Sequence, residues 1–239
     1  MSEPGFALWV YLSRTPLLWL TVTLVAYVIA DRVSAATGRH PLANPVLHSV
    51  WLIAGVLALS GTPYRTYFDG AQFVHFLLGP ATVALAVPLY ENRAVVLRSL
   101  GPMLLALAVG SVTALVSALA IAQAFGMPPS VLASLAPKSV TAAVAMGIAE
   151  RLGGDAALTA VIVILTGIIG AVVVTPLMDA LRIRDWRARG FAAGLAAHGI
   201  GTARAFQVHP LAGTFAGIAM GLNALLTAVV VPVAIGWFA

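Results

Sequence analysis

The stretch LTAVIVILTGIIGAVVV, Leu158–Val174, runs for seventeen residues without a charge. Its apolar residues are continuous, whereas a strand of a membrane barrel would alternate apolar and polar positions with period two. Read as a helix from Ala156 to Leu181, it is long enough to cross a hydrocarbon core. The same pattern extends in both directions along the chain. Hydrophobic segments are predicted at Pro16–Ala36, Ala43–Ser60, Gly70–Tyr90, Ser99–Phe125, Met127–Glu150, Ala156–Leu181, Trp186–Phe206 and Leu211–Phe238, eight in all, joined by short polar loops. Composition agrees: of 239 residues, 61% are hydrophobic and 9% charged, with a mean hydropathy of +1.00. Soluble domains carry roughly a quarter charged residues, so the solvent of this surface is lipid. Lipid cannot satisfy bare peptide groups, which leaves helices as the spanning element. The expected fold is all-α: a polytopic transmembrane helix bundle forming one integral membrane domain over residues 1–239.

The formal charge of +5 does not indicate a nucleic-acid surface. The basic residues sit at segment ends, as positive-inside loops require. There are no cysteines, hence no disulfide, thiol nucleophile or thiolate metal site. The start, MSEPGFALWV, lacks a basic n-region, so no cleaved signal peptide is expected. The other histidines, His40, His48, His75 and His209, show no metal-ligand spacing, and no catalytic triad order, zinc-protease motif or nucleotide fingerprint is present. The chain is not expected to be an enzyme or to hold a metal or cofactor.

Three segments are interrupted. The third contains Gly79-Pro80, the fifth Ala136-Pro137-Lys138-Ser139, and the seventh His198-Gly199-Ile200-Gly201-Thr202. Proline removes a helix hydrogen bond and glycine weakens the helix. Non-helical backbone at membrane depth persists only where protein buries it or it lines a wet cavity. An internal repeat links two of the breaks: PATVALAV (Pro80–Val87) aligns with PKSVTAAV (Pro137–Val144) at an offset of 57 residues, within repeats near 70–125 and 127–181. Repeated broken helices are a mark of secondary transporters. Arginine counting gives topology. Arg182, Arg184, Arg187 and Arg189 mark one cytoplasmic loop, and Arg93 and Arg98 another. If both are cytoplasmic, the fifth segment enters and leaves on the outer side. By the repeat, the third does so from the inner side, giving two re-entrant helices and an inverted repeat. The alternative is that both broken segments cross and one loop violates the rule.

Several residues at the breaks could carry chemistry. Lys138 lies deep in an apolar segment at a cost of at least ~2.5–3.5 kcal/mol. With Ser139 and Thr141 at the same helix start, it forms a predicted anion site, the helix N-terminus adding free N–H groups. The plainer alternative is a lysine that snorkels to an interface. Arg204 can grip a carboxylate with two parallel hydrogen bonds, or serve a structural ion pair. His198 is a candidate for substrate contact or proton coupling, or a structural histidine. Gly199 and Gly201 are expected to permit close approach or positive φ at the seventh-segment break, beside Thr202. Thr82, the repeat mate of Ser139, and Asn44, before Pro45, read as helix caps or ligand contacts. Asn223 reads as a mid-span residue bonding a neighbouring helix.

Five stretches together resemble the LrgB/CidB family: NPVL (Asn44–Leu47), LLGPATVALAVPLYE (Leu77–Glu91), SLAPKSVT (Ser134–Thr141), LTAVIVILTGIIGA (Leu158–Ala171) and AAHGIGTARA (Ala196–Ala205). They stand in family order, and the resemblance extends from about Pro41 to Pro232. Ala142 and Ala143 depart from the Thr and Pro that follow PKSVT in many members. The resemblance implies a multi-pass protein of the bacterial inner membrane. It implies one of two functions: holin-like or antiholin-like regulation of murein hydrolase activity and lysis, or transport of small monocarboxylates. Plastid relatives look like glycolate and glycerate transporters, and bacterial members are linked to pyruvate. The residue reading favours a carrier, because a buried cation beside broken helices is not something a clustering holin needs. Its expected ligand is a small carboxylate anion, coupled to H+ or Na+ if to any ion. The implied partners are the bilayer, an LrgA/CidA-like small membrane protein and further copies of the chain.

Overall fold

The computed structural model describes residues 16–77, 80, 83–84 and 86–238. Among these, eleven helices follow in order: α1 Pro16–Ala36, α2 Pro45–Ser60, α3 Tyr64–Phe76, α4 Ala86–Glu91, α5 Arg93–Arg98, α6 Leu100–Ala124, α7 Pro129–Leu135, α8 Ala142–Arg151, α9 Ala156–Ala180, α10 Trp186–Val208 and α11 Pro210–Ile235. No described residue is in a strand. Helices α1, α6, α9 and α11 are long and apolar enough to cross a membrane. The chain is a membrane helix bundle.

The chain divides into two compact units, the first running to Ala86 and the second from Val87 to Ala239. In the first, Trp19 of α1 is buried and meets Tyr67 of α3 edge-on at 5.9 Å. Thr23 shares a 3.1 Å hydrogen bond with the Tyr67 hydroxyl. Asn44 caps α2, its side chain accepting from the Val46 and Leu47 N–H groups at 2.9 and 3.1 Å. The third segment is described as α3 and the start of α4; Gly79 and Thr82, and with them that half of the repeat, lie outside the described residues. Pro80 is exposed.

In the second unit, α6, α9 and α11 expose apolar side chains at helical spacing, such as Leu105, Val109, Val112 and Val116 on α6 and Leu225, Val229 and Val233 on α11. These faces suit acyl chains. The fifth segment is a hairpin. Leu132 and Ala136 of its first limb pack with Leu115, Leu119 and Ala122 of α6 and with Val231 and Ile235 of α11, and Ile148 and Leu152 of its second limb join the same cluster. Ser134, near the end of α7, accepts from the Asp155 N–H at 2.8 Å, and the Thr159 hydroxyl donates to its carbonyl at 3.2 Å. With Ile148 and Leu152 in one cluster with Ala122, the second limb returns to where α6 finishes.

The seventh segment, read as broken at His198–Thr202, is a hairpin too. Helical hydrogen bonding continues through α10, but Ala197 (φ −126°, ψ 17°) and His198 (φ 40°, ψ −132°) reverse the chain. Across a straight 23-residue helix Trp186 and His209 would be parted by ~34 Å. Instead their rings stack at 4.9 Å. Ala193 and Ala205 share one buried cluster, and a Cβ on Gly201 would overlap the Ala193 carbonyl. This hairpin opens toward the arginine-rich end: Arg187 reaches the Ser99 hydroxyl at 3.4 Å, so the loops before α6 and before α10 lie together. The second unit thus holds two re-entrant hairpins of opposite sense. Among the described residues of this unit, the hairpin of opposite sense to the fifth segment is the seventh.

Candidate functional site

The two tips meet halfway along the spanning helices. The first tip is the turn Ala136–Thr141, in which the Lys138 N–H donates to Leu135 O (3.1 Å) and the Val140 N–H to Pro137 O (3.3 Å). Pro137 and Val140 are fully buried, and Lys138 and Ser139 are half-buried. Pro137 stops α7 by lacking a donor, and α8 restarts only at Ala142. Lys138 therefore lies within the turn, four residues before the helix start, and its Nζ is 3.4 Å from Ser139 Oγ. Thr141 is the N-cap of α8 but makes no side-chain cap bond, so its hydroxyl does not close off the first-turn N–H groups. Lysine, hydroxyls and a helix N-terminus converge there.

The second tip is built against α9. His198 Nε2 lies 2.9 Å from Val163 O; because a carbonyl only accepts, Nε2 carries the proton. The Thr202 hydroxyl returns a 2.8 Å bond to His198 O. The socket is made by small residues of the stretch that opened the sequence reading. A Cβ on Gly167 would come within 2.6 Å of the His198 ring, and one on Gly170 within 2.6 Å of Ala197 Cβ. The reversal is at Ala197–His198, not at the glycines that follow. Gly199 has ordinary space around it, and Gly201 permits the two limbs to close. His198, not a glycine, holds the positive φ.

Asn223 of α11 joins the tips. It is 1% exposed, and its amide group donates to Ser139 O at 3.1 Å and to Leu195 O at 3.2 Å. Its Oδ1 accepts from the Ser111 hydroxyl of α6 at 2.6 Å. One side chain thereby spans both breaks. Beside it lies a small cavity of about 20 Å³, lined mostly by apolar side chains but also by Ser111, Ser139, Asn223 and Thr227, space for one water. Sequence reasoning found Asn223 as a helix–helix contact but not as the link between the tips. Ser111 carried no signal, since a serine is common in membrane helices.

The predicted site residues that are described fall into four places. Lys138, Ser139 and Thr141 form the first tip, and His198, Gly199, Gly201 and Thr202 the second. Arg204 is buried but faces elsewhere, toward Thr175, Met178, Trp186 and Arg189. Thr175 lies twelve residues along α9 from the Val163 that anchors His198, about 18 Å of helix. The expectation that Lys138 and Arg204 bracket one carboxylate is therefore not met by this geometry. The second limb carries Arg204 away from the tip toward the arginine-rich end. Asn44 belongs to the first unit as the cap of α2. Among the described residues no group of His, Asp and Glu is clustered enough to hold a metal ion.

A family model described as the LrgB-like family matches residues 23–237. The uncharacterized protein YwbG of Bacillus subtilis is 36% identical over 213 residues, covering 89% of this chain and 94% of that protein. YxaC of the same organism is 37% identical over 186 residues, covering 78% and 81%. The holin-like protein CidB of Staphylococcus epidermidis is 31% identical over 218 residues, covering 91% and 95%. No solved structure matches the chain significantly.

Proposed function

The chain belongs to the LrgB-like family, and on that premise we propose that it is a secondary transporter of small monocarboxylates of the glycolate, glycerate or pyruvate type. One observation carries this reading: two re-entrant hairpins of opposite sense meet at mid-bundle, joined by Asn223. Broken helices that meet at the bilayer midplane are how secondary carriers build ion sites where access can alternate. The anion is held at the first tip by Lys138, the Ser139 hydroxyl and the first turn of α8. His198, at the second tip and bonded to Val163 O, is the group for coupling to H+, with Na+ the alternative coupling ion. Arg204, nearer the arginine-rich end, is a second counter-charge along the path. The protein acts in the bacterial inner membrane with Arg93, Arg98 and Arg182–Arg189 in the cytoplasm. An LrgA/CidA-like protein and further copies of the chain are the partners this reading allows.

The second reading, a holin-like regulator of murein hydrolases and lysis, draws on the printed name of the CidB relative. The two are separated by purified protein in sealed proteoliposomes. A carrier takes up labelled glycolate or pyruvate in a saturable way and retains an entrapped dye. Dye release without saturable uptake would establish the holin-like reading instead.

A further inference from the structure

A cavity of about 360 Å³ opens at the arginine-rich end, between α6 and the first limb of α10. Its mouth holds Arg98, Ser99, Asp185 and Arg187, and its walls include Ala106 and Ala192. It ends at Leu195, whose carbonyl accepts from Asn223. Leu195 also lines the one-water cavity between the tips. The large cavity therefore runs from the arginine-rich face to the point where Asn223 fastens the second hairpin to the first. Its volume is in the range of a small-molecule site. Arg187 and Asp185 are engaged with each other through bonds of 2.6–3.1 Å. These bonds hold the Asp185 carboxyl below the usual carboxylate range, so the pair stays ionised and neutral as a unit. Arg98 then gives the mouth a net positive charge. A positive mouth over low-dielectric walls concentrates small anions.

We propose that this cavity is a water-filled cytoplasmic vestibule for small organic anions, drawn in by Arg98 and stopped at the Asn223 clasp. The proposal rests on the carrier reading for its ligand class, but its test does not use transport. The chain has no cysteine, so single cysteines report cleanly. Ala106→Cys and Ala192→Cys line the cavity, whereas Leu105→Cys, 67% exposed and not part of it, faces outward. Membrane vesicles of each orientation are treated with an impermeant anionic methanethiosulfonate and with its cationic counterpart, each rate being divided by that for a free thiol in solution. The expected result is reaction at Ala106→Cys and Ala192→Cys from the cytoplasmic side only, none at Leu105→Cys, and several-fold preference for the anionic reagent. Arg98→Gln removes that preference. Two cavity positions guard against one variant misfolding. Lack of reaction at both would show a cavity filled by acyl chains and overturn the vestibule, as would equal reaction from both sides or an anion preference indifferent to Arg98. Absent uptake with intact labelling would instead remove the carrier reading alone.

Discussion

At the tips, single side chains hold backbone that helices elsewhere would not tolerate. His198 sits at φ 40° without being glycine, a conformation that costs of order 1–3 kcal/mol. Val163 O, the Gly167 gap and the Thr202 hydroxyl keep it there. In a helix interior alanine is better than glycine by about 1 kcal/mol; at position 198 the order should reverse. His198→Gly is expected to melt above His198→Ala in detergent, both losing the ring. An alanine variant as stable or more so would mean that the reversal relaxes and that φ 40° is not enforced. Asn223→Ala removes the partner of two part-buried carbonyls and should destabilise by roughly 2–6 kcal/mol, at 1–3 for each unsatisfied group, read from thermal unfolding. For the ligand, Lys138→Ala should weaken glycolate or pyruvate binding by about 1.5–3 kcal/mol, the worth of a charge-assisted hydrogen bond, roughly ten- to more than a hundredfold. Titration calorimetry on folded variant with unchanged affinity would remove Lys138 from the site. Lys138 was legible from sequence because a cation in an apolar run is expensive. The reversal at His198 was not located, because positive φ is normally assigned to glycine and two glycines stood next to it.

Helix contacts depend on where side chains are missing. Gly190 and Gly194 on α10 face the Ala212 and Ala216 backbone of α11, and an added Cβ would overlap both carbonyls. The pattern at 190, 194, 212 and 216 lets the re-entrant limb lie against α11 at close range, as small residues do between membrane helices. Gly194→Ala should therefore destabilise by about 1–3 kcal/mol, as overpacking does. Gly221→Ala, on α11 with nothing within 4 Å of its Cβ, should be neutral or slightly stabilising. Comparing the two melting temperatures checks the packing directly; equal effects would show that the limb is not seated on α11. Periodicity located this helix, and its glycines were visible, but sequence could not say which of them bend the chain and which merely make room. Of the two alternatives read for Gly201, close approach or positive φ, the structure shows close approach, to the Ala193 carbonyl. A one-dimensional pattern records small size without recording the neighbour that requires it. Pro137 was less ambiguous, because a missing N–H has a local consequence whatever surrounds it.

For the whole chain, charge and the hairpins must give one topology. If the fifth and seventh segments re-enter, α6, α9 and α11 cross alternately. Arg93, Arg98, Arg182, Arg184, Arg187 and Arg189 then share one face, with Arg151, Glu150 and Asp155 on the other. Were the fifth segment to cross instead, Arg182–Arg189 would lie on the side opposite Arg93 and Arg98; were the seventh to cross, α11 would start on the side opposite Arg182–Arg189. The arginine count made the fifth hairpin readable in advance. It gave no comparable sign for the seventh, because the loop after it, around Pro210, carries no arginine or lysine. The structure supplies the missing constraint in the stacked Trp186 and His209 rings and in Arg187 at Ser99. The decisive measurement uses four single cysteines, at Met127, Arg151, Arg184 and Pro210, with an impermeant maleimide applied to intact cells and to inside-out vesicles. Met127→Cys and Arg151→Cys should label from outside, and Arg184→Cys and Pro210→Cys from the cytoplasm. Labelling of Met127 and Arg151 from opposite faces would make the fifth segment a span. Opposite faces for Arg184 and Pro210 would do the same for the seventh and take the tip-to-tip site with it, since a crossing α10 could not present His198 to Val163 while stacking Trp186 on His209.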